Sequence, residues 1–131
     1  MNKYAQATLI ATKLIENNQA STPLEAWNIA TTETCGEGTW AQKKGCPKNA
    51  FLGLCEAGLV KGISKGIYTE RSNSQKNKGY AIKAVELLRE NPELAEDLKV
   101  LWETVMDGKV MSHNYQMDVV VSLWKHGLIC E

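Results

Sequence analysis

The residues best suited to chemistry are four cysteines, two histidines and a cluster of lysines. Cys46 stands in Lys44-Gly45-Cys46-Pro47-Lys48, with Pro47 fitted to the first turn of a helix and Cys46 at or next to its N-cap. A thiol at a helix N-terminus between two cations is placed where a thiolate is favoured, for nucleophilic or redox work. Nucleophilic catalysis also needs a base and an oxyanion site. The candidate bases are His113 and His126, and nothing in the sequence places either beside Cys46. Cys46 therefore reads as a small residue at a tight helix entry, and no catalytic residue is assigned. Cys35, Cys46 and Cys55 lack Cys-x-x-Cys spacing and no His-x-x-x-His pair exists, so no metal site is expected. Glu93, Glu96 and Asp97 fall in the first turn of one helix and complement its dipole. No glycine-rich phosphate loop is present, so no cofactor is expected.

The lysines suggest a partner. The 131 residues carry 15 basic and 15 acidic side chains, yet residues 43–78 hold seven lysines and Arg71 against Glu56 and Glu70. Both flanking regions are acidic. Such asymmetry marks a surface for an anionic partner, or a loop that collects solvated lysines. Lys43, Lys44 and Lys48 cluster at the entry of the third helix, and Lys61, Lys65, Arg71, Lys76 and Lys78 follow. Trp40 and Tyr68 are the possible stacking partners for bases. A three-helix unit also resembles a helix-turn-helix in outline, with the third helix as reader. Against that stand the neutral total and a poor outward set on this helix, Lys48, Asn49, Leu52, Gly53 and Glu56. Trp40, in a polar loop, either packs down as a plug or stands out as an interface anchor. His113 and Asn114 read as capping or surface residues.

Hydrophobic residues at 44% and charged residues at 23% give the balance of a folded globular domain. No apolar run spans a bilayer and no secretory leader is visible, so the four cysteines read as cytoplasmic thiols. Helical spacing predicts a first helix from Tyr4 to Asn17, with Ala7, Ile10, Ala11, Leu14 and Ile15 inward. A second opens at Ser21 or Thr22 with Pro23 in its first turn, and turns Leu24, Trp27, Ile29 and Ala30 inward. Residues 36–47 read as a loop. The third helix presents Phe51, Leu54 and Cys55 and stops at Gly58. Residues 61–79 read as an exposed linker, Ser72 to Gly79 having no apolar residue. Apolar stripes then run through Tyr80, Ala84, Leu87 and Leu88, through Leu94, Leu98, Leu101, Trp102 and Val105, and through Val119, Val120, Leu123 and Trp124. The last is expected to open at Ser112.

The two halves follow one plan. Ala11-x-x-Leu14-Ile15 matches Ala84-x-x-Leu87-Leu88, Trp27 matches Trp102, and Leu54-x-x-x-Gly58-Leu59-Val60 matches Leu123-x-x-x-Gly127-Leu128-Ile129. These correspondences predict a pseudo-repeat, residues 4–63 and 80–130 joined by a basic loop over 64–79. The stretch Lys44-Gly45-Cys46-Pro47-Lys48 through Leu54-Cys55-Glu56 to Gly58-Leu59-Val60-Lys61-Gly62, with Ser112-His113-Asn114 and Leu123-Trp124 later, resembles a family of small uncharacterised bacterial proteins. That resemblance implies a bacterial, cytoplasmic protein and transfers no catalytic residue.

The expected fold is all-α, about six helices in two pseudo-repeated three-helix halves that share one core and form a single helical domain over 1–131. The leading functional expectation is a non-enzymatic protein-interaction module. Its contact surface is the Trp40–Lys48 loop with the 61–79 arm: Trp40, Lys43, Lys44, Cys46, Lys48, Lys65, Arg71, Lys76 and Lys78. Nucleic-acid binding through the same residues is the alternative, self-association stays open, and no membrane partner is expected.

Overall fold

The computed structural model describes residues 2–69 and 74–130. Among the described residues, six helices of nine or more residues make up the fold: α1 (Lys3–Glu16), α2 (Pro23–Cys35), α4 (Gly45–Glu56), α5 (Ser74–Glu90), α6 (Leu98–Met106) and α7 (Gln116–Lys125). A single turn, α3 (Trp40–Lys43), precedes α4, and a 3-10 turn (Pro92–Glu96) precedes α6. The architecture is all-α, as the periodicities predict. No helix is long and apolar enough to cross a membrane among the described residues.

Local chemistry sets most of the starts. Asn2 Oδ1 accepts from Tyr4 N and opens α1, which buries Tyr4, Ala7 and Ala11 at one-turn spacing. Thr22 Oγ1 accepts from Glu25 N, Glu25 answers by accepting from Ser21 N, and Pro23 occupies the first position of α2. Within α2, Trp27 and Ala30 are buried as expected, but Leu24 and Ile29 are 38% and 42% exposed. Ala26 and Thr31 are fully buried in their place.

Residues 36–39 and 44 are turn and connection, as expected of a loop, but 40–43 and 45–47 are helical. Thr39 caps the α3 turn and α4 already begins at Gly45. Cys46 is therefore the second residue of α4, and Lys44, its N-cap, offers no side-chain cap. Residues 50–56 of α4 are all buried, which overturns the outward face read for Leu52, Gly53 and Glu56. The helix that was to read nucleic acid lies inside the molecule, covered by α5.

The linker is also shorter than expected. Ser74 to Gly79 form the first turns of α5. Their lack of apolar residues is offset by tertiary polar contacts, Gln116 Nε2 donating to Asn77 Oδ1 and Lys78 Nζ donating to Glu56 Oε1. Upstream, Ile63 is buried, and Tyr68 N, Thr69 N and Thr69 Oγ1 all donate to Glu56 Oε2. The stripe from Leu94 to Val105 is split at Asp97, whose Oδ1 caps α6. α7 opens after Tyr115, not at Ser112; Tyr115 adopts φ 69 and caps with no side-chain bond.

α4 and α7 end alike. Gly58 and Gly127 turn with φ 76 and 69, while Leu59 N donates to Leu54 O and Leu128 N to Leu123 O. The chains that leave these ends pair with each other as an antiparallel bridge, Val60 against Ile129. The two tryptophans compared above have different surroundings. Trp27 stacks on Phe51 at 5.3 Å, whereas Trp102 meets Tyr80 edge-on at 5.5 Å and donates its Nε1 to Met111 O. All six longer helices contribute to one apolar cluster around Trp27, Phe51, Leu54, Leu88, Leu101 and Leu123.

Candidate functional site

The segment between α2 and α4 is the most elaborately tied surface element. Gly36 turns with φ 95, which a side chain rarely adopts, and ends α2. Thr39 Oγ1 donates to Cys35 O and Gly36 O and accepts from Gln42 N. Gln42 then clamps the turn from the other side: its Nε2 donates to Asn28 O and Thr32 Oγ1, and its Oε1 accepts from Gly38 N. Tyr4, buried in α1, donates its hydroxyl to Ala41 O at 2.8 Å. On this fixed turn Trp40 points outward and is 90% exposed. It does not pack down as a plug.

The neighbouring surface comes from the α6–α7 connection. Tyr115 packs on Tyr4 at 4.9 Å between ring centres, and Lys44 Nζ lies 5.9 Å over the Tyr115 ring. His113 continues the row between Tyr115 (6.2 Å) and Trp102 (5.5 Å). Tyr80 Oη contacts Met111 Sδ at 3.4 Å, and Val110 beside it is fully outward. Contacts thus run from the Trp40 turn through Tyr4, Tyr115, His113 and Trp102 to Met111, with Lys44 over the Tyr115 ring. Trp40, Tyr115, Met111 and Val110 are the exposed large side chains of this face.

His113 in this row also faces a partly buried carboxylate. Asp118 Oδ1 is buried without a hydrogen-bond partner among the described residues, and sits 3.6 Å from His113 Nε2. Met117 N donates to that same Nε2 at 3.4 Å. Burial pushes the His113 pKa below its ordinary value, and Asp118 opposes this. Burial likewise pushes the Asp118 carboxyl up against the pull of His113. Burial also raises the Tyr4 hydroxyl, with Cys35 and Tyr115 adding to it.

The residues singled out from the sequence divide. Trp40, Lys43, Lys44, Cys46 and Lys48 lie together on α3 and the first turn of α4, Lys43 exposed and Cys46 and Lys48 half-buried. Lys65 packs against Gly58 beyond the far end of α4, roughly 20 Å along the helix axis from Lys44. Lys76 is exposed on the first turn of α5. Lys78 is consumed by its 2.7 Å ion pair with Glu56, and Tyr68 is half-buried, its hydroxyl donating to Ser64 O. Arg71 lies outside the described residues. No hydrogen bond joins His113 to Cys46 among the described residues, and no group of three metal-ligating side chains occurs there. Cys55 is buried in apolar surroundings that push its thiol pKa well up. Sequence reasoning missed Tyr4, Gln42 and Tyr115 as parts of the face. The apolar pair Val110-Met111 in an otherwise polar stretch was the available signal for its far edge.

The model of a family of unknown function, DUF6979, matches residues 1–130. No curated protein and no solved structure matches the chain.

Proposed function

For a chain that belongs to DUF6979, a family of unknown function, we propose a protein-interaction module whose contact face is Trp40, Lys43, Lys44, Met111 and Tyr115. Its partner is an acidic segment with large apolar side chains. The observation that carries this reading is Trp40, 90% exposed on a turn held by the Gln42 clamp and the Tyr4 hydroxyl. A tryptophan buries about 150–250 Å² at an interface, which at about 25 cal/mol per Å² is roughly 4–6 kcal/mol. Presenting it on a rigid turn avoids the ordering cost that a mobile loop would add on binding. Lys43, Lys44 and Lys48 against the single acid Glu37 within residues 36–48 favour carboxylates in the partner. All four cysteines are free thiols, which suits a place in the cytoplasm.

A single-stranded nucleic acid is the second reading, because an exposed Trp40 beside Lys43 also suits a stacked base. The buried α4 and the paired Lys78 weigh against it. Both readings meet in one experiment. The full chain and Trp40→Ala are panned against a phage-displayed peptide library, and each is titrated with a labelled oligothymidine at low salt. The interaction reading expects acidic, aromatic-rich peptides that bind only the parent chain. Salt-sensitive oligothymidine binding without peptide enrichment replaces it with the nucleic-acid reading, and equal peptide recovery on Trp40→Ala removes the proposed face.

A further inference from the structure

On the far side of the Val60–Ile129 bridge, a cleft of about 410 Å³ opens between the end of α5 and the end of α7. Lys61, Arg89, Trp124, Gly127, Ile129 and Cys130 line it. We infer that this cleft binds an apolar carboxylate of the medium-chain fatty-acid class. The volume falls within the roughly 300–1,000 Å³ of small-molecule sites. Its walls are the Trp124 indole, Ile129 and the Cys130 thiol, and the space over Gly127 is open, with nothing within 4 Å of where a Cβ would stand.

Among the described residues the charge is one-sided. Lys61 and Arg89 are both cations, and no described residue lining the cleft is acidic. The ion pairs among the described residues are Lys78–Glu56, His113–Asp118 and Lys125–Glu96, so neither of these cations is neutralised by a carboxylate there. Arg89 donates one Nη to the Cys130 carbonyl, which fixes the guanidinium at the rim and leaves further N–H groups for an anion. A carboxylate held between Lys61 and Arg89 would lay its chain along Trp124 and Ile129. The smaller cleft on the other side of Lys61, about 260 Å³, includes Glu16 and lacks Arg89, and so does not suit the same head group.

The probe is octanoate, titrated into the ¹⁵N-labelled full chain, with the Trp124 indole signal assigned from Trp124→Phe. Saturable displacement of that signal and of the Gly127 amide is expected, while the buried Trp27 indole stays still. Lys61→Gln weakens binding about tenfold, the loss of one charge-assisted contact, and octan-1-ol binds more weakly by a similar factor. Lys61 is exposed, so its variant is expected to fold, which protects the test should Arg89→Gln disturb the Cys130 contact. Absence of a saturable shift at millimolar octanoate, equal affinity for octan-1-ol, or an unaffected Lys61→Gln overturns the inference. So does binding to phosphatidylglycerol vesicles with no response to free octanoate. None of these residues belongs to the Trp40 face, so failure here leaves that reading untouched.

Discussion

Gly53 and Lys78 approach so closely that no side chain fits between α4 and α5 at their crossing. A Cβ on Gly53 would stand 2.5 Å from Lys78 Cβ and 2.7 Å from its Cα. Gly53→Ala gains about 1 kcal/mol of helix propensity. It must also move the backbone of α5, and overpacking of this kind costs about 1–3 kcal/mol. The expected result is a lower urea midpoint than the parent chain. A midpoint at or above the parent's would show that the helices separate freely.

The same crossing carries the fold's main buried charge. Burial alone raises the Glu56 pKa, but Lys78 Nζ, Thr69 N, Thr69 Oγ1 and Tyr68 N together hold it at about 2, below the ordinary 4.5. Because the folded value is the lower one, the stabilisation is present above pH 4.5 and is lost as pH falls from there towards 2. By linkage the full shift corresponds to about 3 kcal/mol, of which solvent screening leaves about 1–2 kcal/mol. Glu56→Gln should lose a similar amount at neutral pH and flatten the stability profile between about pH 5 and 2. An unchanged slope in that window would show that Glu56 is not the titrating group.

Within the aromatic row, His113 is expected to titrate below its ordinary 6.5, since burial outweighs the attraction of Asp118. Its folded value is depressed, so protonating it destabilises the fold and this contribution is lost as pH falls below 6.5. Asp118→Asn removes the charge that opposes burial and should lower the His113 value further. Imidazole proton shifts followed by NMR measure both. A His113 value that rises in Asp118→Asn contradicts the 3.6 Å pairing.

Gln42 holds the Trp40 turn through three contacts. Gln42→Ala should cost about 1 kcal/mol of global stability. It should also speed hydrogen exchange at the Gly38 amide, which donates to Gln42 Oε1 at 2.7 Å. Exchange at Gly38 equal to that of the parent would mean that the turn is held by Thr39 and Tyr4 alone.

Much of the fold was legible because it was written locally. Thr22-Pro23 announced α2, and Gly58 and Gly127 announced the ends of α4 and α7, since each uses a cap that neighbouring residues supply. The start of α5 was not legible. Ser74 to Gly79 carry no apolar periodicity, and the contacts that hold them, Asn77 with Gln116 and Lys78 with Glu56, join residues 39 and 22 positions apart. The candidate face was half legible. Trp40 and its lysines stood out by type, but Tyr4 and Tyr115 join the site only through packing between the first and last helices. The outward direction of Trp40 is set by Gln42 reaching back to Asn28, 14 residues away.

Trp40 is outside the core, so Trp40→Ala should leave stability within about 0.5 kcal/mol of the parent. The most direct measurement is calorimetric titration of the strongest library peptide into the parent chain and into Trp40→Ala. The interaction reading predicts binding to the parent and a loss of at least about 2 kcal/mol, some thirtyfold, in the variant. Equal affinity for the two chains, both folded, would contradict it.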